Sequence, residues 1–328
     1  MAAVASSDES SIRGAQRGDQ IFRLILRICS LVGFALIAGL VLVLVLNSLE
    51  TIGRFGASFL TGQNWNPVEG EEQFGALPFI FGTVVTSIIA LILATPLAIG
   101  SALFVSEYAP AWLGRPVAFL VELLVAIPSL AYGIWGAFVL APFMRDHAEP
   151  FLQNTLGRIP VIGALFPSGP GVLLSGFDLL TAGVILTIMV LPTILSISRE
   201  IITQVPRLQK EGMLALGATR WEVLSKAILP YARGGIAGAA LLGLARALGE
   251  TMAVTLVIGN SSTAITPSLF TSGYTIASKI ANEFQNADTS TFFSAIIELG
   301  LVLLVVSLIF NVSARLLVRR LTQLPGGA

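Results

Sequence analysis

The chain has 328 residues, of which 55% are hydrophobic and 12% are charged, and its mean hydropathy is +0.85. Soluble domains carry about 25% charged residues, so this composition excludes an ordinary soluble domain and indicates an integral membrane protein. The formal net charge is zero, but the charged residues are distributed unevenly along the chain.

Six apolar segments are long enough to cross a bilayer as helices, which takes about 20 residues. They predict an all-α membrane protein with six transmembrane helices. Pro96, Pro128 and Pro192 fall inside three of these segments, where we expect kinks that serve packing or act as hinges. The predicted spans are 24–46, 79–105, 117–143, 179–197, 234–259 and 292–313.

Most of the 19 basic residues lie before the first span, in the connection between the second and third spans, in the connection between the fourth and fifth spans, and after the last span. Lys and Arg accumulate on the cytoplasmic side of membrane proteins. The distribution therefore predicts that both termini and the connection 199–230 are cytoplasmic, and that the loop 47–78 is external.

The cytoplasmic connection contains signals for two short helices separated by a turn. Gly217 is placed to end the first helix in a left-handed conformation. Thr219 and Glu222 have the spacing of a capping box that begins the second helix. An amphipathic connector lying on the lipid headgroups is the alternative interpretation.

The same connection resembles the EAA loop of the permease subunits of ABC importers, written E-A-A-x3-G-x9-I-x-L-P. Glu211, Gly217 and Pro230 have the full spacing, whereas Gly212, Met213 and Ala227 depart from the favoured residues. The segments "SFLTGQNWNP", "FGALPFIFGTVVTS", "IPSLAYGIWG" and "RALGETMAV" are similar to those of PstC-type permeases of high-affinity phosphate importers. This resemblance covers most of the chain.

The resemblance implies a type I ABC importer permease fold in the bacterial inner membrane. A cytoplasmic segment, 1–23, and an extra N-terminal helix, 24–46, would precede the external loop 47–78. The five-helix core would then occupy 79–315, including the coupling loop 199–230, and 316–328 would form a cytoplasmic tail. The resemblance also implies that the EAA loop contacts an ATPase through Glu211, Gly212, Leu214, Ala215, Leu216, Gly217 and Ala218.

The implied function is that of a permease subunit in an ATP-driven importer of inorganic phosphate. The implied partners are a homologous permease (PstA-type), two ATPase subunits (PstB-type) and an external phosphate-binding protein (PstS-type). The sequence has no G-x4-G-K-[ST] motif, so ATP and Mg are expected in the ATPase. We expect no catalytic residue, metal, cofactor or nucleic acid in this chain.

Arg246 and Glu250 are ionisable residues inside the fifth predicted span. Such residues usually face a protein interior or a wet cavity, because a charge in lipid is costly. At i and i+4 they would share one helical face. The resemblance places them on the translocation path, and an ion pair that only orders helix packing is the alternative.

Two other functional classes are alternatives to an ABC importer permease. An ion-coupled secondary anion transporter could use Arg246 and Glu250, although the EAA loop would then have no explanation. An intramembrane hydrolase would need a histidine in a span, but His147 is the only histidine and is predicted in an outer loop. Glu122 and Glu298 are interpreted as structural.

Overall fold

The computed structural model describes residues 2–168, 172–261 and 265–323. These residues are almost entirely helical, and two short strands, β1 (Trp65–Asn66) and β2 (Gln73–Phe74), form an antiparallel hairpin. The long helices are α1 (Ala2–Phe55), α3 (Leu77–Leu103), α8 (Leu179–Thr203), α11 (Leu229–Gly249) and α14 (Ser290–Gln323). The shorter ones are α2 (Ala57–Thr61), α4 (Ala111–Ala126), α5 (Ser129–Trp135), α6 (Ala141–Phe143), α7 (Glu149–Thr155), α9 (Arg207–Ala215), α10 (Arg220–Val223), α12 (Met252–Val257) and α13 (Ile276–Glu283).

Five helices in the described part of the chain are long and apolar enough to cross a bilayer. The count reaches six when the bent pair Trp112–Ala126 and Ser129–Arg158 is taken as one span. The prediction of an all-α membrane protein is therefore confirmed.

The third predicted span, 117–143, is not one straight helix. Its two parts meet at an angle of 95° around Pro128. Proline has no N–H, so it leaves the carbonyl of Leu124 without its helical partner. The Tyr132 hydroxyl donates to that carbonyl at 2.9 Å, and this bond stabilises the break.

The fifth predicted span, 234–259, is also broken. Helix α11 ends at Gly249, and Glu250 has an extended backbone with φ −71° and ψ 128°. The Glu250 carboxylate accepts a hydrogen bond from the backbone N–H of Ala253 at 3.4 Å, within α12. Glu250 therefore belongs to the junction between two helices and not to the face of one.

Helix α8 forms the centre of the bundle and packs against α3, α4 and α11. Two glycines allow close approach: a Cβ at Gly183 would lie 2.5 Å from Ile89 of α3, and one at Gly243 of α11 would lie 2.7 Å from Ile194. A side chain at either position would require the facing isoleucine to shift within a closely packed interface. Helices α3, α8 and α11 therefore form a tightly packed unit.

Helix α1 is attached differently, because it lies along α14 and leaves most of its apolar surface uncovered by the rest of the chain. Near its C-terminal end, the hydroxyls of Thr51 and Ser294 are hydrogen-bonded at 2.8 Å. Glu298 lies one turn beyond Ser294 and is buried. Polar contacts of this kind join helices where apolar packing alone gives little preference.

The hairpin is anchored by Lys279, which is buried on α13. Its ammonium group lies 5.3 Å from the ring centroid of Trp65 and 4.6 Å from that of Tyr274. It also forms an ion pair with Glu283 at 2.7 Å. Burial lowers the pKa of Lys279 from its usual value. The segment between α1 and α3 is thus an ordered structure held against the helices. It is shorter than the predicted loop 47–78, because residues 47–55 continue α1 and α3 begins at Leu77.

Candidate functional site

Helices α9 and α10 form a two-helix elbow, residues 207–223, as the sequence predicts. Gly217 has φ +85°. The N–H of Gly217 donates to the Leu214 carbonyl at 3.0 Å, and the N–H of Ala218 donates to the Met213 carbonyl at 3.1 Å. These two bonds define a Schellman motif, which ends α9 and turns the chain into α10.

The second arm of the elbow is continuous with a membrane-spanning helix. Thr219 and Glu222 form the predicted capping box at its start. A π-helical turn, Leu224–Ile228, then leads into α11, so that residues Arg220–Gly249 form a single 30-residue helix. At 1.5 Å per residue, about 39 Å of helix separates Arg220 from Arg246. The second arm of the elbow and Arg246 therefore lie on the same continuous helix.

The elbow exposes an apolar surface that the chain itself does not cover. Leu208, Leu216 and Trp221 are 84%, 90% and 69% exposed. Large apolar side chains exposed together on one surface usually mark a contact with another molecule. Of the seven residues predicted to contact an ATPase, Ala218 is half-buried, and six are exposed: Glu211, Gly212, Leu214, Ala215, Leu216 and Gly217.

Arg246 lies in the last turn of α11 and is half-buried. Its Nη1 donates to the hydroxyl of Thr193 on α8 at 3.0 Å. The expectation that Arg246 and Glu250 share a helical face is wrong, because the helix ends between them. Each has its own hydrogen-bond partner, and none of the ion pairs among the described residues joins the two.

Two features of the helices lie close to Arg246. Its partner Thr193 directly follows Pro192 within α8, and α11 ends three residues after Arg246. Broken helices at membrane depth are tolerated where they line a cavity or are buried in protein, and they often surround substrate sites in transporters.

Sequence reasoning missed Thr193 as the hydrogen-bond partner of Arg246. Thr193 directly follows Pro192, where the sequence predicts a kink, and that position was the available signal. Helix α8 runs unbroken through Pro192.

Glu122, Glu298 and His147 are distant in sequence from this site. Glu122 is exposed and lies 4.0 Å from Arg199, whereas Glu298 is buried on α14. The imidazole of His147 is stacked on Phe143, with 5.4 Å between ring centroids. The interpretation of the two carboxylates as structural stays a prediction.

Comparison with known proteins decides the family. Residues 94–323 match the family described as "Binding-protein-dependent transport system inner membrane component". This chain belongs to that family. It is accordingly an inner-membrane component of a transport system, and the matched region contains the elbow, Arg246 and Glu250.

Curated relatives of this family member match it over nearly their full length. The chain is 43% identical over 324 residues to the phosphate transport system permease protein PstC of Mesorhizobium japonicum, covering 99% of this chain and 97% of the relative. It is 46% identical to PstC of Xylella fastidiosa, covering 94% and 93%. It is 39% identical to PstC 2 of Mycobacterium tuberculosis, covering 93% of each chain.

A solved structure gives the fold of this inner-membrane component independently. The inward-facing MetNI methionine ABC transporter aligns with a TM-score of 0.50 and 16% identity, covering 75% of this chain and 93% of that chain. At this identity the likeness concerns the fold alone. The predicted type I ABC importer permease fold is confirmed.

Proposed function

We propose that this chain is the PstC-type permease subunit of an ATP-driven inorganic phosphate importer. The observation that carries the proposal is the 43–46% identity, over almost the entire chain, to transport components named as phosphate permeases. The chain forms half of the translocation path, and a homologous PstA-type permease forms the other half.

The energy source lies in another subunit. The chain has no G-x4-G-K-[ST] motif to hold ATP phosphates, whereas its elbow presents an exposed apolar surface. Two PstB-type ATPase subunits, which bind ATP and Mg, dock on this surface through Glu211, Gly212 and residues 214–218. A PstS-type protein delivers phosphate from outside.

Arg246 contacts the anion during its passage. A guanidinium presents a planar fork of donors that suits the oxygens of phosphate. The absence of an ion pair with Glu250 supports this role, because the guanidinium charge is then available to an anion. The bond to Thr193 holds the side chain in place. Glu250 lies at the adjacent helix junction and limits how tightly the site holds phosphate, since passage requires release.

The proposed function is tested in proteoliposomes that contain this chain, its PstA-type permease partner and two PstB-type ATPase subunits. With the binding protein outside and ATP inside, we expect uptake of labelled phosphate and little uptake of sulfate. Uptake that persists without ATP and is abolished by a proton ionophore would instead support the secondary anion transporter.

Arg246 is tested in the same assay. Arg246→Met should reduce phosphate uptake about 10- to 100-fold, the loss expected for a charge-assisted contact worth about 1.5–3 kcal/mol, while the complex still assembles. Thr193→Val is the matched control, because it removes the hydrogen-bond partner but keeps the guanidinium, and it should have a much smaller effect. Near-normal uptake by Arg246→Met at equal complex yield would rule out the anion contact.

A further inference from the structure

A short ion pair joins the elbow to a membrane-spanning helix that is not its neighbour along the chain. Lys210 Nζ of α9 donates to Glu107 Oε1 at 2.5 Å. Glu107 lies in the π-helical turn Phe104–Tyr108, which continues α3. The two residues are 103 positions apart in sequence, so this contact depends on tertiary structure and not on local helix geometry.

The surroundings strengthen this pair compared with one at the open surface. The side chains of Lys210 and Glu107 are 18% and 21% exposed. Ion pairs that are partly withdrawn from water are less screened than exposed ones. By contrast, Lys226 and Glu222 form a pair at 3.0 Å within one helix, with side chains 65% and 39% exposed. The second pair is of the same chemical kind but ties no separate elements together.

The chain alone connects α9 to only two of the three packed helices. Residues 204–206 lead to α9 from α8, and α10 leads on to α11. Helix α3 has no such connection. A cavity of about 230 Å³, lined by Tyr108, Leu214 and Arg220 among others, lies beside the ion pair. Other side chains therefore do not fill the space beside the pair.

We infer that Glu107 and Lys210 are positioning residues that fix the angle of the elbow against α3, so that movement of a docked ATPase is transmitted to α3 as well as to α11. This inference rests on the proposed function. The pair touches neither phosphate nor ATP. It determines how much of each ATP-driven movement reaches the helices around Arg246.

The experiment measures phosphate taken up per ATP hydrolysed, using the complete reconstituted complex. Glu107→Gln and Lys210→Met should each lower this ratio about three- to tenfold, within the range of couplings between contacting residues, with complex yield and ATP hydrolysis largely kept. The charge reversal Glu107→Lys with Lys210→Glu should restore at least half of the ratio. Lys226→Met, which breaks the pair within one helix, should leave the ratio unchanged.

A purely structural role would lower assembly, hydrolysis and uptake together, and would overturn the inference. So would a charge reversal that assembles but stays uncoupled, because it would indicate that Lys210 contacts the ATPase itself. If a single variant assembles poorly, Glu107→Cys with Lys210→Cys in a Cys29→Ser background provides a second measurement. Joining the two thiols with a short cross-linker should restore the ratio, and a ratio that stays low would contradict the inference.

These failures differ from failure of the proposed function. If the proposed function is wrong, the complex that contains the unsubstituted protein shows no ATP-dependent phosphate uptake. If only the inference about positioning is wrong, the unsubstituted protein transports phosphate and the substituted proteins do not show the predicted changes in ratio.

Discussion

The backbone of Gly217 determines the direction of the elbow. Its φ of +85° lies in the left-handed region, and no atom within 4 Å would meet an added Cβ. The requirement for glycine is therefore conformational and does not come from crowding. In that region a residue other than glycine costs about 1–2 kcal/mol, and a β-branched residue is especially unfavourable.

We predict that Gly217→Val abolishes most ATP-driven phosphate uptake while the membrane helices remain inserted. The valine disfavours the Schellman turn, so the apolar surface of α9 loses its orientation relative to α10. Gly217→Asn is the matched control, because asparagine tolerates the left-handed conformation, and it should keep most of the activity. Co-purification of the ATPase and uptake measure the effect; normal uptake by the valine variant would contradict this account of the turn.

The end of helix α11 next to Arg246 changes the interaction partner of its side chain. In an uninterrupted helix it would face Glu250 one turn away. Because α11 ends at Gly249, Glu250 instead binds the N–H of Ala253, and Arg246 binds Thr193. The sequence identified both residues correctly as unusual in an apolar segment, but it did not identify their partners.

The helices were predictable to different degrees. The lengths of the apolar segments predicted the membrane spans, and the helix-capping residues predicted the elbow, because each of these signals depends on residues close in sequence. The break at Pro128 had a visible cause. The break at Glu250 had no such cause, because apolar residues continue on both sides and no proline lies between residues 243 and 258. Helix α12, which follows the break, packs against α5, and a long-range contact of this kind is not visible in the sequence.

The packing of α5 on α12 is close at one point, Gly133. A Cβ there would lie 2.9 Å from the Cα of Ala253 and 3.3 Å from the carbonyl oxygen of Met252. Both of these atoms are backbone and cannot rotate away. The absence of a side chain at Gly133 therefore lets the two short helices pack closely.

We predict that Gly133→Ala destabilises the protein by about 1–3 kcal/mol, the usual cost of overpacking, and lowers phosphate uptake by displacing α12. Thermal unfolding in detergent and uptake in proteoliposomes measure these effects. Gly100→Ala, in α3, is the matched control, since no atom within 4 Å would meet its added Cβ. Equal stability of the two variants would show that α5 and α12 can separate without cost.

At the scale of the whole molecule, the described residues leave several apolar surfaces uncovered. Two of them are the apolar surface of the elbow and the greater part of α1. The two surfaces face different surroundings in the proposed assembly, since the elbow would lie in the cytoplasm and α1 in the membrane. The elbow can therefore reach an ATPase partner only if it lies on the cytoplasmic side of the membrane.

The uneven distribution of basic residues predicts a cytoplasmic elbow, an external hairpin and an external connection between the third and fourth predicted spans. Single cysteines introduced by Glu69→Cys in the hairpin and Asn154→Cys in that connection, in a Cys29→Ser background, should react with a membrane-impermeant thiol reagent in intact cells. Gln209→Cys, at an exposed position of α9, should react only after the membrane is permeabilised.

All three positions are exposed, so accessibility on the protein surface does not distinguish them, and labelling depends on the side of the membrane. The permeabilised sample provides the control that each thiol is reactive. Labelling of Gln209→Cys in intact cells would place the elbow outside, where no cytoplasmic ATPase could reach it. The coupling proposed for residues 211–218 would then be impossible, even though the family resemblance implies it.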